Sequence, residues 1–168
     1  MKKILITTLF FIIIFSCKIQ LNNLNDTELF DGIKFNNVSL RSIMDSKGDV
    51  TQMRALFGND IQQEDNNSGP FIGKDIFNSK FYFHYEDETD TGQDFDLTYI
   101  KVKNSSVIVN IRGLSIKIGD DRSKFGSLLF NTRFNGYVFT DQDTGSVSLS
   151  FQIDNDTNKV TEIKFTAY

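Results

Sequence analysis

His84 is the chain's one histidine, and it stands between Phe83 and Tyr85 in a run where apolar and polar residues alternate. An imidazole can move protons near neutral pH, but a general base needs a nucleophile and an orienting acid within reach. Nothing in the sequence brings such partners to it. Strand alternation turns His84 away from Phe81, Phe83 and Tyr85 and sets it beside Tyr82 and Glu86, as a solvent-facing residue. Thiol chemistry is closed as well, because the single cysteine, Cys17, ends an apolar leader. Zinc sites draw on several Cys or His ligands, which the chain lacks. The expectation is therefore a protein that is not an enzyme, with no catalytic residues, no cofactor and no metal site.

Three acidic segments bear on calcium. Asp141, Asp143 and Gly145 carry part of the oxygen spacing of a calcium loop, as do Asp154, Asp156 and Asn158. Neither has a bidentate Glu at the twelfth position. Glu86-Asp87-Glu88-Thr89-Asp90 is denser and runs on into Thr91-Gly92-Gln93-Asp94. Asp, Asn and Gly are also the residues that tight turns require. Plain turns are expected at all three, with weak calcium binding in the Glu86–Asp96 loop as the alternative.

Exposed aromatics would mark a binding sheet. Phe, at 17 residues, belongs by default to the core. Among the tyrosines, Tyr82 and Tyr99 are the surface candidates, and with His84 they form the candidate binding surface. A concave pocket over these three would suit a small ligand, and a flat exposed sheet would suit a partner protein.

The elements that must position these residues follow from periodicity. Gly48-Asp49 precedes Val50, Met53, Leu56 and Phe57, which share one helical face, with Asp49 as N-cap and Gly58 as the stop. A second helix is expected over Asp121–Leu129, after Gly119-Asp120. Strands are expected over Phe77–Glu86, Phe95–Lys103, Val107–Ile111, Leu114–Ile118, Gly136–Thr140, Ser146–Ile153 and Lys159–Ala167. Residues 29–47 are ambiguous, with Leu29–Phe35 a candidate first strand. The class is α+β: short helices packed on an antiparallel β-meander. Two similar halves, about 29–104 and 105–168, are suggested by the paired Gly-Asp starts and the aromatic strands about thirty residues beyond each.

At the amino terminus, Met1-Lys2-Lys3 leads into an apolar run from Ile4 to Phe15, broken by Thr7 and Thr8, and then Ser16-Cys17. This is signal-peptide patterning, too short for a comfortable membrane span. Residues 1–16 read as the signal peptide, 17–28 as a polar tether and 29–168 as the domain. The net charge of −4 becomes −6 once Lys2 and Lys3 leave with the leader. That acidic balance argues against nucleic-acid binding and against electrostatic attachment to anionic lipid. No cysteine remains for disulfides, so burial alone must hold the fold.

Two resemblances rest on these residues. Ile14-Phe15-Ser16-Cys17 resembles the lipobox of bacterial lipoproteins, which implies cleavage before Cys17 and membrane attachment through lipid on that residue. Lys18, rather than Asp, after the cysteine implies the outer membrane of a diderm bacterium, and the lack of an acidic cluster beyond it favours the periplasmic face. Gly48–Gly58 and Gly119–Phe130, each followed by antiparallel strands, resemble the beta-lactamase-inhibitor and small outer-membrane-assembly lipoprotein families. That likeness implies a non-enzymatic protein presenting a sheet to a protein partner. A small-ligand or sugar-binding lipoprotein of an uptake system is the alternative.

Overall fold

The computed structural model describes residues 22–66, 71–89 and 91–167. The leader, Cys17 and Asp90 lie outside the described residues. Ser39 caps α1 (Leu40–Asp45), its hydroxyl accepting from the Ser42 N–H at 3.1 Å. Asp49 caps α2 (Val50–Phe57), its carboxylate accepting from the Gln52 N–H at 2.8 Å, and Gly58 ends it. α1 falls in the stretch that periodicity leaves ambiguous, and Leu40 and Ile43 are the face it buries. No helix of the described residues is long and apolar enough to cross a membrane.

Among the described residues, twelve strands make two sheets. β1 (Asn23–Leu24), β4 (Gln62–Asp65), β5 (Ile72–Phe77), β6 (Phe81–Asp87), β7 (Asp96–Val102), β10 (Gly136–Asp141), β11 (Val147–Ile153) and β12 (Val160–Ala167) form the larger, in the order β1-β10-β11-β12-β7-β6-β5-β4. The smaller joins β2 (Lys34–Phe35), β3 (Val38–Ser39), β8 (Val109–Ile111) and β9 (Leu114–Ile116) in the order β3-β2-β8-β9. Among the described residues, only β1 pairs in parallel, with β10. The chain is an α+β fold.

One face of the large sheet is the core. A register row crosses it through Ile76, Phe83, Ile100, Phe165, Leu149 and Phe139, all at 0% exposure. Each such side chain contributes roughly 1.5–3 kcal/mol of burial. Phe57 of α2 sits on this face, 4.8 and 5.0 Å from the Phe81 and Phe83 rings. Phe125 does the same on the other half, 3.9 Å from the Tyr137 ring and 5.3 Å from Phe151. Tyr85 also faces inward, and its hydroxyl donates to the Ile43 carbonyl at 2.9 Å.

Several expectations are corrected. Asp121–Leu129 is not a helix: one 3₁₀ turn, Arg122–Phe125, stops at Gly126, whose φ is +58°. Gly126-Ser127 supplies little helix propensity to extend it. Leu29–Phe35 is not one strand, because Glu28–Gly32 forms a single π-helical turn before β2. Asn25 and Glu28 close that turn reciprocally, each backbone N–H donating to the other's side chain. The tether is shorter than 17–28, since Leu24 is fully buried and β1 completes the sheet. Phe77–Glu86 is not one strand: the turn at Asn78–Lys80 splits it, and Phe77 ends β5 opposite Tyr82, away from the Phe81 face.

Two meanders, β4–β7 and β10–β12, meet last strand against last strand, β7 beside β12. The strands aligned from sequence, Phe81-Tyr82-Phe83 and Leu149-Ser150-Phe151, hold corresponding positions one strand in from that seam. The helices do not repeat, and the small sheet crosses the expected boundary at 104/105 by pairing β2 with β8.

Candidate functional site

The second face of the large sheet carries the candidate residues. His84 pairs directly with Tyr99 across β6 and β7, and with Asp75 across β5 and β6. Tyr82 lies one pleat along, opposite Phe77 and Lys101. Its ring meets that of Tyr99 edge-on, with centroids 6.0 Å apart. Alternation therefore delivers Tyr82, His84 and Tyr99 to one surface, all half-buried. The other two strand tyrosines, Tyr85 and Tyr137, go to the core.

Asp75, which the sequence reading missed, organises this cluster. Its Oδ1 accepts from the Tyr82 hydroxyl at 2.8 Å and lies 2.6 Å from His84 Nδ1, while Oδ2 accepts from the Asn66 amide at 3.0 Å. His84 Nε2 lies 3.0 Å from Glu86 Oε1. Both ring nitrogens thus face carboxylate oxygens. Burial, and then the bond to Asp75, hold the Tyr82 phenol well above its ordinary value near 10. The cluster is a fixed polar patch, held in one arrangement before anything binds. Gly73 belongs to it as well: an added Cβ would sit 2.3 Å from the Asn66 carbonyl oxygen and 3.1 Å from His84 Cε1.

The seam between the halves adds a second charged group. Lys101 of β7 and Lys164 of β12 flank Glu162, at 3.2 and 2.5 Å. Burial pushes the Glu162 carboxyl up, but the ammonium groups of Lys164 and Lys101 outweigh it and leave it below its ordinary range. Ser148, Ser150, Thr166 and Val138 continue the face towards β10.

The acidic loops spend their oxygens on the backbone. Asp87 is fully buried and accepts from the N–H groups of Thr89, Gln93 and Asp94 and from the hydroxyls of Thr89 and Thr91. The Thr89 contacts lead in holding its carboxyl below the usual range. Asp94 and Asp96 face Lys47 Nζ at 3.1 and 2.6 Å. Asp141 accepts four backbone N–H groups, from Asp143, Thr144, Gly145 and Val147. Asp154 accepts those of Asp156 and Thr157. These carboxylates face donors, whereas a cation needs their lone pairs. Among the described residues, no three His, Cys, Asp or Glu side chains gather as a metal site.

Three open hollows lie elsewhere. One of about 220 Å³ is lined by Arg112, Leu114 and Phe125, a second of about 530 Å³ by Asn25, Glu28 and Gln142, and a third of about 390 Å³ by Asp60, Phe77 and Lys103. None of the three is lined by Tyr82, His84 or Tyr99.

No protein-family model and no curated protein sequence matches the chain. Among solved structures, a cysteine-rich secretory protein of Staphylococcus aureus is similar over 70% of this chain at 13% identity, with a TM-score of 0.34. The match spans 43% of that protein's length, and it carries no argument about fold or function here.

Proposed function

We propose that this protein is a non-enzymatic lipoprotein of the outer membrane, anchored through lipid on Cys17, whose open sheet face docks a folded protein partner. The observation that carries the reading is the asymmetry of the large sheet. One face carries the buried row from Ile76 to Phe139, and the other carries half-buried Tyr82, Tyr99 and Phe77 and two charged clusters. Eight strands at ~4.8 Å spacing and about seven residues of rise at ~3.3 Å span roughly 34 by 23 Å. That area is close to the ~800 Å² each partner contributes to a standard protein interface. Glu64, Asp75, Glu86 and Asp96 give the β4–β7 side an acidic cast, so the partner presents a basic surface there.

Photo-crosslinking in cells tests this. A photoreactive residue at Tyr99 should give one discrete protein adduct, and the same residue at Asp143, in an exposed turn off this face, should not. The adduct should disappear when Glu64→Lys and Glu86→Lys are added, because they set like charge against the partner's basic surface. An adduct unchanged by those substitutions, or equal at both positions, would refute the docking face. Cys17→Ala should separately release the protein from membranes or leave the leader uncut, and unaltered processing and fractionation would refute the lipid anchor.

A further inference from the structure

Between the 3₁₀ turn and β10 runs a loop whose apolar residues the core covers only in part: Leu128 and Phe130 pack against it, Phe130 meeting the Tyr137 ring edge-on at 5.4 Å, while Leu129 turns outward. Leu129 is 54% exposed, the most of any large apolar side chain among the described residues, and Leu128, Phe130 and Phe134 are only half-buried beside it in sequence. A single exposed apolar residue is ordinary, but here exposed Leu129 stands with three half-buried apolar side chains within seven positions. Cations accompany them: the Arg122 guanidinium lies 3.9 Å over the Phe130 ring, and Arg133 is exposed.

What faces this loop follows from where the chain leads. Asn22, the first described residue, is buried, and its amide donates to the Leu129 carbonyl at 2.9 Å. Cys17 lies five residues earlier. Five residues reach at most ~18 Å even fully extended. A lipid on Cys17 is therefore confined to the neighbourhood of Leu129.

We propose that the Leu128–Phe134 loop rests in the headgroup interface of the bilayer that holds the Cys17 lipid, with Leu129 as the inserted side chain. The inference rests on the lipoprotein reading given above. The mature charge of −6 disfavours attraction to anionic lipid, so apolar insertion carries the contact, while arginines beside the loop keep their charged ends at the phosphates. The consequence is an orientation. β10 follows the loop and pairs with β1, so that edge of the sheet stands at the membrane and β4 lies about 34 Å across the strands from it. The Tyr82–Tyr99 face then points sideways along the membrane surface, open to a neighbouring protein.

The test uses the full lipidated chain in vesicles of phosphatidylethanolamine and phosphatidylglycerol. Because Cys17 is blocked by its thioether, Leu129→Cys supplies the one free thiol for an environment-sensitive fluorophore. Gln63→Cys on exposed β4 is the matched control. Lipids with nitroxide near the headgroup should quench the 129 probe about twofold or more beyond the 63 probe, as expected for insertion of ~5–10 Å into the interface. Equal quenching in a chain whose intact mass includes the lipid would overturn the loop contact and leave the anchor standing. An intact mass without lipid would overturn both, since the short tether is what brings the loop to the membrane.

Discussion

Tyr85 fixes the helix pair to the sheet, and its hydroxyl and ring can be weighed separately. The side chain is fully buried, and burial pushes its phenol well above the ordinary value. Its hydroxyl donates to the Ile43 carbonyl at 2.9 Å and lies 3.1 Å from Ser46 Oγ, at the end of α1. Tyr85→Phe removes that hydroxyl without leaving an orphan, because Ser46 Oγ still donates to the same carbonyl at 2.6 Å. The expected cost is therefore that of one ordinary hydrogen bond, about 1 kcal/mol. In a chain of this size that lowers Tm by roughly 2–4 °C. Tyr85→Ala also empties the ring's place in the core and should cost about 3–5 kcal/mol. Gly48 probes the ring from the other side: its φ is +68°, and an added Cβ would stand 3.1 Å from Tyr85 Cγ. Gly48→Ala should cost at least ~1–2 kcal/mol through the left-handed backbone alone. Tyr99→Phe, half-exposed, should change stability by less than about 0.5 kcal/mol. Urea unfolding of the mature chain carrying Cys17→Ser, followed by circular dichroism and tyrosine fluorescence, measures all four. The reasoning is refuted if Tyr85→Phe matches the unsubstituted protein, or if it is as damaging as Tyr85→Ala.

Three further outcomes follow from the ionisable groups. Tyr82 and Tyr85 both have folded pKa values raised above the ordinary 10, so the unfolded chain loses those protons first. Stability should hold below about pH 10 and fall as pH rises beyond it, and Tyr82→Phe should make the fall shallower in unfolding measured against pH. Asp87, Asp141 and Asp154 have the opposite shift, so their stabilisation is present above the ordinary carboxyl range near pH 4 and is lost as pH drops through it. Asp141→Asn should weaken the acid dependence of the unfolding free energy; an unchanged slope would count against its backbone contacts. Arg112 holds Glu28 with two nitrogens, at 2.9 and 2.8 Å, and also donates to the Asn23 carbonyl. Arg112→Met should cost about 1–2 kcal/mol, discounted for the partial exposure of Glu28, and should open residues 22–28 to limited proteolysis.

How far the residues announce this structure depends on whether local and long-range preferences agree. For α2 they do: Asp49, the Val50–Met53–Phe57 stripe and Gly58 all ask for one helix. β6 agrees too, because Phe81, Phe83 and Tyr85 alternate with Tyr82, His84 and Glu86. They part company at Asp121–Leu129, where the apolar spacing is helical but Gly126 ends the turn after Phe125 has already reached its place against Tyr137 and Phe151. Here the packing partner, supplied from more than ten residues away, needs one aromatic side chain and not a whole helical face. β4 shows the reverse failure. Gln62–Asp65 has no apolar alternation at all, and it is a strand because β5 offers an edge to pair with. Its four exposed side chains, two of them acidic, also discourage another chain from adding there.

The candidate surface was half legible for the same reason. Period-two alternation is local, so it told that His84 points away from the Phe81 face, and the structure adds Tyr99 beside it by register. Asp75 could not be found that way. Its sequence neighbours, Lys74 and Ile76, give no hint of chemistry, and its role exists only because β5 pairs it directly with His84. Asp75 and Glu86 meet both imidazole nitrogens, so His84 is tied into a hydrogen-bonded patch. Such a patch suits recognition: polar groups already paired with one another require no new ordering when a second surface arrives, so less of the contact free energy is lost to fixing side chains. Pre-organisation of this kind, in the Asp75–His84 cluster and at Glu162, is what the proposed docking of a protein partner would draw on.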